Sequence, residues 1–275
     1  MTARPMVSVS GLRLVRESRG GPLLVLDDVT FDVADREFVA IVGPSGCGKT
    51  TLLKALDGLL PKTAGTVVVN GIEVERPGAD RGFVFQQDAL FPWRTVLSNI
   101  RLGLEARPGE RSQKNQTARD LASLVGLTGF ENHFPHQLSG GMRQRVNVAR
   151  ALAVDPQVLL MDEPFSSLDA QTREVMQEEL LRIWADRHKT VLFVTHQIDE
   201  AAYLADRVIV LSARPGTVRA TLPIELPRPR TLELKRTPQF VEIVDRIWQE
   251  IELSDSGRMV QDSDENEQAK GVSHA

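Results

Sequence analysis

Nine consecutive residues carry the strongest chemical signal in this 275-residue chain: Gly43, Pro44, Ser45, Gly46, Cys47, Gly48, Lys49, Thr50 and Thr51. They match GxxxxGK[ST], and they stand after a β-rich apolar run, Phe38 to Val42, and before a helical pattern. Glycines at these places let the backbone curl so that several N–H groups face one anion. The helix that follows begins with its positive dipole end at the same point. Lys49 adds a point charge suited to β- and γ-phosphate oxygens. Thr50 supplies a hydroxyl to Mg²⁺, a hard ion that takes oxygen ligands. The competing reading is a glycine-rich turn with no ligand. The motif points to a nucleotide binder and leaves open which kind.

Two adjacent acids, Asp162 and Glu163, follow another apolar run, Val158 to Met161. Neighbouring residues point in different directions. Asp162 is therefore expected to hold Mg²⁺, and Glu163 to orient or deprotonate an attacking water. An ordinary acidic strand end is the alternative. His196 ends a later run, Val191 to Val194, and is expected to reach the γ-phosphate and hold Glu163 and the water in line. Gln86 ends the run Phe83 to Phe85. Cys47 reads first as a small filler. A helix N-terminus can lower a thiol pKa, so a modifiable thiol is the second reading.

A further anion cradle is written at Leu138-Ser139-Gly140-Gly141-Met142-Arg143-Gln144-Arg145. Ser139 can cap the helix that follows, and Gly140 and Gly141 permit close backbone approach. The first loop already wraps one side of a triphosphate. A second cradle makes most sense facing the nucleotide of another subunit.

The elements needed to position these groups are legible as well. Continuous apolar β-rich runs with helical patterns between them predict a parallel α/β sheet whose strands are buried on both faces. Such sheets bind ligands beyond the carboxyl ends of their strands. Gly43, Gln86, Asp162, Glu163 and His196 should therefore gather at one edge. Residues 7–33 alternate more and predict antiparallel strands. Residues 88–155 are mostly helical in pattern, with Pro92, Pro108-Gly109 and Pro135 as breaks. The Pro- and Arg-rich stretch 213–230 predicts extended chain, and Leu226 to Arg230 reads as a solvated connector. Pro238 to Leu253 predicts one amphipathic helix, and residues 254–275, polar and acidic, a disordered tail.

Composition narrows the class. A net charge of −4 provides no global basic field for nucleic acid. A single cysteine excludes an internal disulfide and a multi-cysteine metal site. No apolar run approaches the ~20 residues needed to span a bilayer, and the N-terminus lacks a signal-like apolar region. A cytoplasmic protein is expected.

Taken together, these stretches resemble the ATPase subunits of ABC transporters. The phosphate loop, Gln86, the LSGGMRQR stretch, the LLMDEP stretch, Ser167-Leu168-Asp169 and His196 occur in that family's order and approximate spacing, over about residues 7–220. The resemblance implies a P-loop NTPase core with an N-terminal antiparallel β subdomain and an inserted helical subdomain. The ATPase domain would span residues 1–225 with its helical subdomain at about 88–155, a one-helix extension 226–253 would follow, and the tail would be 254–275. Two such subunits would pack head-to-tail, each ATP lying between one copy's phosphate loop and the other's Ser139, Gly140 and Gly141. Asp169 would couple the two sites, and Gln86 would sense Mg²⁺ and the γ-phosphate.

The family's adenine-stacking aromatic has no counterpart in Leu14 to Arg19, where Arg16 is the planar substitute. Softer likenesses, in Gln86 to Trp93, His196 to Ala201, Ser212 to Gly216 and Leu226 to Arg230, are to the nitrate, sulfonate and taurine importers. That class implies transmembrane permease subunits contacted through the helical subdomain, an external solute-binding protein, and residence at the cytoplasmic face of the membrane. The Leu90 to Trp93 region faces such a partner or packs within the subdomain. A DNA-repair ATPase or a nucleotide-dependent scaffold are the rival readings. The short interval between the two cradles lacks the coiled coil or zinc module of the first, and Glu163 with His196 opposes the second.

Overall fold

The apolar runs become strands because each is β-rich and short, and they stack into one sheet because neither of their faces is polar. In the computed structural model, which describes residues 4–18, 20–87, 89–105 and 108–253, a six-stranded sheet has the order β10-β9-β3-β8-β7-β6. Its members are β3 (Phe38–Val42), β6 (Arg81–Val84), β7 (Val158–Asp162), β8 (Thr190–Val194), β9 (Arg207–Leu211) and β10 (Val218–Pro223). All pairings are parallel except β9 with β10. A four-stranded antiparallel sheet, β2-β1-β4-β5, contains β1 (Val7–Ser18), β2 (Gly21–Val33), β4 (Ala64–Val69) and β5 (Ile72–Glu73). The residue 64–73 hairpin was not anticipated from sequence. It pairs with β1 only through a long-range register.

The period of two along the central strands sorts the core into two layers. Val39, Ile41, Leu160, Leu192 and Val194 face α1 (Lys49–Asp57) and the antiparallel sheet. Phe38, Ala40, Val42, Met161 and Phe193 face the helical layer. That layer includes α2 (Val96–Glu105), α3 (Arg111–Leu124), α4 (Gly140–Ala153), α5 (Ala170–Arg187) and α6 (Ile198–Leu204). A final helix, α7, spans 238–253 and buries Phe240, Ile243 and Ile247 at helical spacing against the same core. The 254–275 segment, read from sequence as a disordered tail, lies outside the described residues.

The Pro/Arg stretch corrects the sequence reading of a solvated connector. Residues 218–223 join the main sheet as β10, and the arginines beyond it are docked. Arg228 lies 4.1 Å over the Trp184 ring and donates to Asp206 Oδ1 at 2.7 Å. Arg230 is 7 % exposed and donates to the carbonyls of Tyr203 and Ala205 at 2.9 and 2.7 Å. It thereby satisfies the carbonyl end of α6, where cations are favoured. Burial holds its guanidinium down at about 10.

Asp57 closes α1 and is 5 % exposed, with Arg81 Nε at 3.9 Å. Burial pushes its carboxyl up to about 6, against the opposing pull of Arg81. The unfolded carboxyl ionises near pH 4. Between those values the folded state holds the extra proton, so stability falls as pH rises from about 4 to 6 and the loss is complete above. Asp57→Asn should match wild type near pH 4 and exceed it by about 3 kcal/mol at pH 7. Urea-unfolding midpoints at the two pH values measure this, and a gain independent of pH would refute the assignment.

Candidate functional site

The phosphate loop leaves β3 at Val42 and enters α1 at Lys49. Two glycines make that path possible. A Cβ on Gly43 would stand 2.7 Å from the Leu211 carbonyl oxygen, and one on Gly48, at φ 102°, would stand 2.8 Å from Leu26 Cδ2. The turn at Ser212 to Thr217 braces the loop from behind. Gly216 donates to Val25 and accepts from Asp27, tying the turn to β2. Lys49 Nζ donates to the Gly43 and Pro44 carbonyls at 2.7 and 3.0 Å, across the inside of the loop. Ser45 and Gly46 are exposed at its tip, and Thr51 lies in the first turn of α1.

Cys47 is buried, with its Sγ 3.8 Å from Lys49 Nζ. Burial pushes the thiol up and outweighs the nearby lysine. The reading as a modifiable, acidified thiol is therefore corrected. The helix terminus is present, but the apolar surroundings on the other side of the loop decide the sign.

Across from the loop, Thr50 Oγ1 donates to Asp162 Oδ1 at 2.8 Å. Asp162 is 4 % exposed, and burial holds its carboxyl above the usual range while the Thr50 hydroxyl opposes the shift. The next residue turns away sharply. Glu163 has φ 45°, a left-handed backbone that few non-glycine residues adopt, and its N–H donates to the Val194 carbonyl at 2.9 Å. That turn sends the two neighbouring carboxylates to different partners. Glu163 Oε2 accepts from Gln86 Nε2 at 3.2 Å and lies 3.1 Å from His196 Nδ1. Ser166, which sequence reasoning passed over, donates to the Glu163 carbonyl at 3.0 Å.

Glu163 lines two cavities. One, of about 310 Å³, is bounded by Lys49, Thr50 and Thr51, and Arg16 lies on its rim with Val25. The other, of about 650 Å³, is bounded by Gln86, His196, Gly140, Arg143 and Gln144. The structure thus brings Thr50, Asp162, Glu163, Gln86 and His196 together at one sheet edge. Ser139 and Gly141 are absent from the phosphate-loop cavity. Ser139 caps α4, its Oγ accepting from Met142 N at 3.2 Å, and it is exposed. Gly141 is needed where it stands, since a Cβ there would lie 2.6 Å from Thr172 Cγ2. Asp169 is exposed and caps α5 through Thr172 N at 3.0 Å, and that bond holds its carboxyl below the usual range.

Arg173 was missed from sequence, where it is one arginine on a polar helix face. It donates to the Leu168 carbonyl at 2.6 Å and to Gln197 Oε1 at 3.0 Å, joining the loop before α5 to the loop carrying His196. Nothing local in the sequence signals this, because its partners lie 5 and 24 residues away.

Comparison with known proteins gives the same picture. The family model described as ABC transporter matches residues 26–166. An uncharacterized ABC transporter ATP-binding protein of Methanocaldococcus jannaschii is 52% identical over 224 residues, covering 82% of this chain and 84% of that one. A taurine import ATP-binding protein of Yersinia pestis is 45% identical over 258 residues, covering 90% and 99%. Among solved structures, the dimeric MJ0796, described as a bacterial ABC transporter cassette, superposes with a TM-score of 0.72 at 31% identity, over 81% of this chain and 100% of that one. A dimeric post-hydrolysis state of the same cassette, bound to ADP and Pi, gives 0.71 at 32% over the same shares. The chain belongs to the ABC transporter family, as one of its ATP-hydrolysing subunits.

Proposed function

We propose that two copies of this chain close head-to-tail over two ATP molecules and drive a membrane importer for a small anion of the sulfonate type, such as taurine. The single observation that carries the catalytic part is the place of Glu163. Its carboxylate lies between the Thr50–Asp162 pair on one side and Gln86 and His196 on the other. A carboxylate so held can take the proton of a water aimed at a phosphate lying along the loop.

Each residue has a part. The amides from Ser45 to Thr51 and the Lys49 ammonium hold the phosphates and stabilise charge as it develops on the transferring group. His196 keeps Glu163 and the water aligned and contacts the γ-phosphate. Gln86 reports on that phosphate to the helical layer. Thr50 and Asp162 fit Mg²⁺, because a hydroxyl and a carboxylate oxygen 2.8 Å apart form a hard oxygen pair beside the phosphate loop, with Gln86 as the further ligand. An ion held by Thr50 and Asp162 would supply neutralising charge to the phosphates. Arg16, on the rim of the cavity, stacks on the base. Ser139, Gly140 and Gly141 cradle the ATP of the partner copy, and Asp169 couples the two sites. The dimeric form of the neighbouring cassettes supports this arrangement.

Aromatic residues on the helical side support a membrane partner. Trp93 is 71 % exposed and packs on Phe91 at 5.3 Å, beside a groove bounded by Phe83, Phe85, Ala89 and Arg150. Solvated aromatics around a groove suit a helix from a transmembrane permease subunit. Among the described residues no helix is long and apolar enough to cross a membrane. The permease of this reading is a separate chain, with this one at its cytoplasmic face. Relatives at 45–48% identity named as taurine import ATP-binding proteins favour a sulfonate over nitrate. An external solute-binding protein would deliver the anion.

Glu163→Gln should slow phosphate release by at least about 10²-fold, retain ATP and accumulate a dimer in size-exclusion chromatography. Wild-type turnover by this variant would sink the assignment. Replacing both Phe91 and Trp93 by alanine should reduce co-purification with the permease by about tenfold or more, as loss of buried aromatic anchors does elsewhere. Undiminished recovery of the complex would place the membrane contact on another face.

A further inference from the structure

Below the loop that carries His196 runs a chain of buried polar groups that the catalytic reading does not use. Glu200, on α6, is 2 % exposed. One carboxylate oxygen accepts from the Thr195 hydroxyl, and the other accepts from Gln177 Nε2 at 3.0 Å. Gln177, on α5, is 1 % exposed. Its Oε1 accepts from Lys235 Nζ at 2.8 Å. Lys235 belongs to the helical turn Leu232–Arg236, in the extension that precedes α7. It also lies 4.6 Å over the Tyr203 ring and 3.8 Å from Glu174.

The Lys235 ammonium sets the direction of the amide bonds. An ammonium only donates, so the Gln177 amide must turn its oxygen to Lys235 and its NH₂ to Glu200. The ionised Glu200 carboxylate only accepts, so with it the Thr195 hydroxyl turns its proton to Glu200 and leaves its lone pairs free. Gln197 N uses one of those at 3.0 Å. Thr195 is thereby tied on both sides of His196. Its backbone N–H donates to Ile41, and its hydroxyl binds the backbone just beyond. One turn before Gln177 on the same helix, Arg173 holds Gln197 and Leu168, the latter next to Asp169.

We infer that Lys235, Gln177 and Glu200 are positioning residues through which the C-terminal extension sets the His196 loop, so that seating of the extension tunes the rate of ATP hydrolysis. The inference rests on the assignment of His196 above. A relay of this kind differs from a core network that merely satisfies its own polar atoms. Cutting it at Lys235, on the half-buried outer end, should change the catalytic step more than nucleotide binding, because no member of the relay touches the phosphate loop.

The test uses the full chain and phosphate release measured against ATP concentration. Lys235→Met should lower kcat roughly fivefold and leave the KM for ATP within about twofold, whereas Lys235→Arg, which keeps a donor for Gln177, should restore kcat. In a Gln177→Met background, Lys235→Met should cause no further loss, since the link is already broken. Three outcomes overturn the relay: wild-type kcat in Lys235→Met, losses that multiply in the double variant, or failure of Lys235→Arg to rescue. His196→Ala, measured in parallel, separates the two levels. If it abolishes turnover while Lys235→Met keeps the wild-type kcat, the relay alone falls. If His196→Ala turns over normally, the reading of the site falls with it.

Discussion

The Glu163 N–H donates to the Val194 carbonyl one residue past the last β7–β8 pair, and much of the site hangs on that bond. It holds a left-handed residue at the lip of a buried parallel sheet, where strain of about 1–3 kcal/mol persists only if neighbours over-determine it. Here they do. Ser166 grips the Glu163 carbonyl from the following turn, and Phe165 fills the core beneath at 1 % exposure. A regular strand would carry Asp162 and Glu163 to opposite faces of the sheet, one of them into the core. The turn instead brings both carboxylates to the edge, aimed at different partners.

The edge itself follows from the sheet. Each central strand is apolar on both faces and can present polar groups only where it ends. Five parallel strands end on the same side, and the terminal residues of β3, β6, β7 and β8 meet there. Asp162, buried within that ring, resists ionisation and is relieved by the Thr50 hydroxyl. A partially desolvated carboxylate bound to a hydroxyl favours the approach of a cation, because burial has already removed most competing water. Lys49 meets a parallel need on the other side, spanning the loop through two carbonyls that hold its ammonium inside the curl.

What was legible in the sequence was whatever is local. The strand ends, the glycine loop, the cap at Ser139 and the helix over 238–253 are each written in a few adjacent residues, whereas the cap at Asp169 was not read. The parallel sheet followed from runs apolar on both faces. What stayed hidden depends on partners far along the chain. The 64–73 hairpin joins β1 by register alone. Arg228 and Arg230 stand in a proline-rich stretch with the composition of a solvated linker, yet their targets are the end of α6 and a tryptophan 44 residues earlier. Cys47 shows the same limit in reverse. Its position at a helix start is visible in sequence, whereas the burial that raises its pKa comes from the core layer it joins with residues such as Leu26 and Leu211.

Two side chains proposed to serve the partner copy, Ser139 and Asp169, are already engaged as caps, and the chemistry of capping decides whether both tasks are compatible. Ser139 Oγ accepts from Met142 N, which uses a lone pair and leaves the hydroxyl proton free to donate. A phosphate oxygen needs that donor. Capping also holds the side chain at the exposed start of α4, where the first amides of the helix have no intrahelical partner. Asp169 accepts from Thr172 N through Oδ1, leaving Oδ2 for a donor across the interface. Its lowered pKa keeps it an acceptor. In both residues the cap uses the half of the group that the intersubunit contact does not require. The local bond orders the side chain before the second copy arrives, which lowers the entropy lost on closure. An alanine at either place would remove the partner contact and fray the helix that presents it. A cysteine at 139 or an asparagine at 169 changes the hydrogen-bonding chemistry while keeping much of the shape.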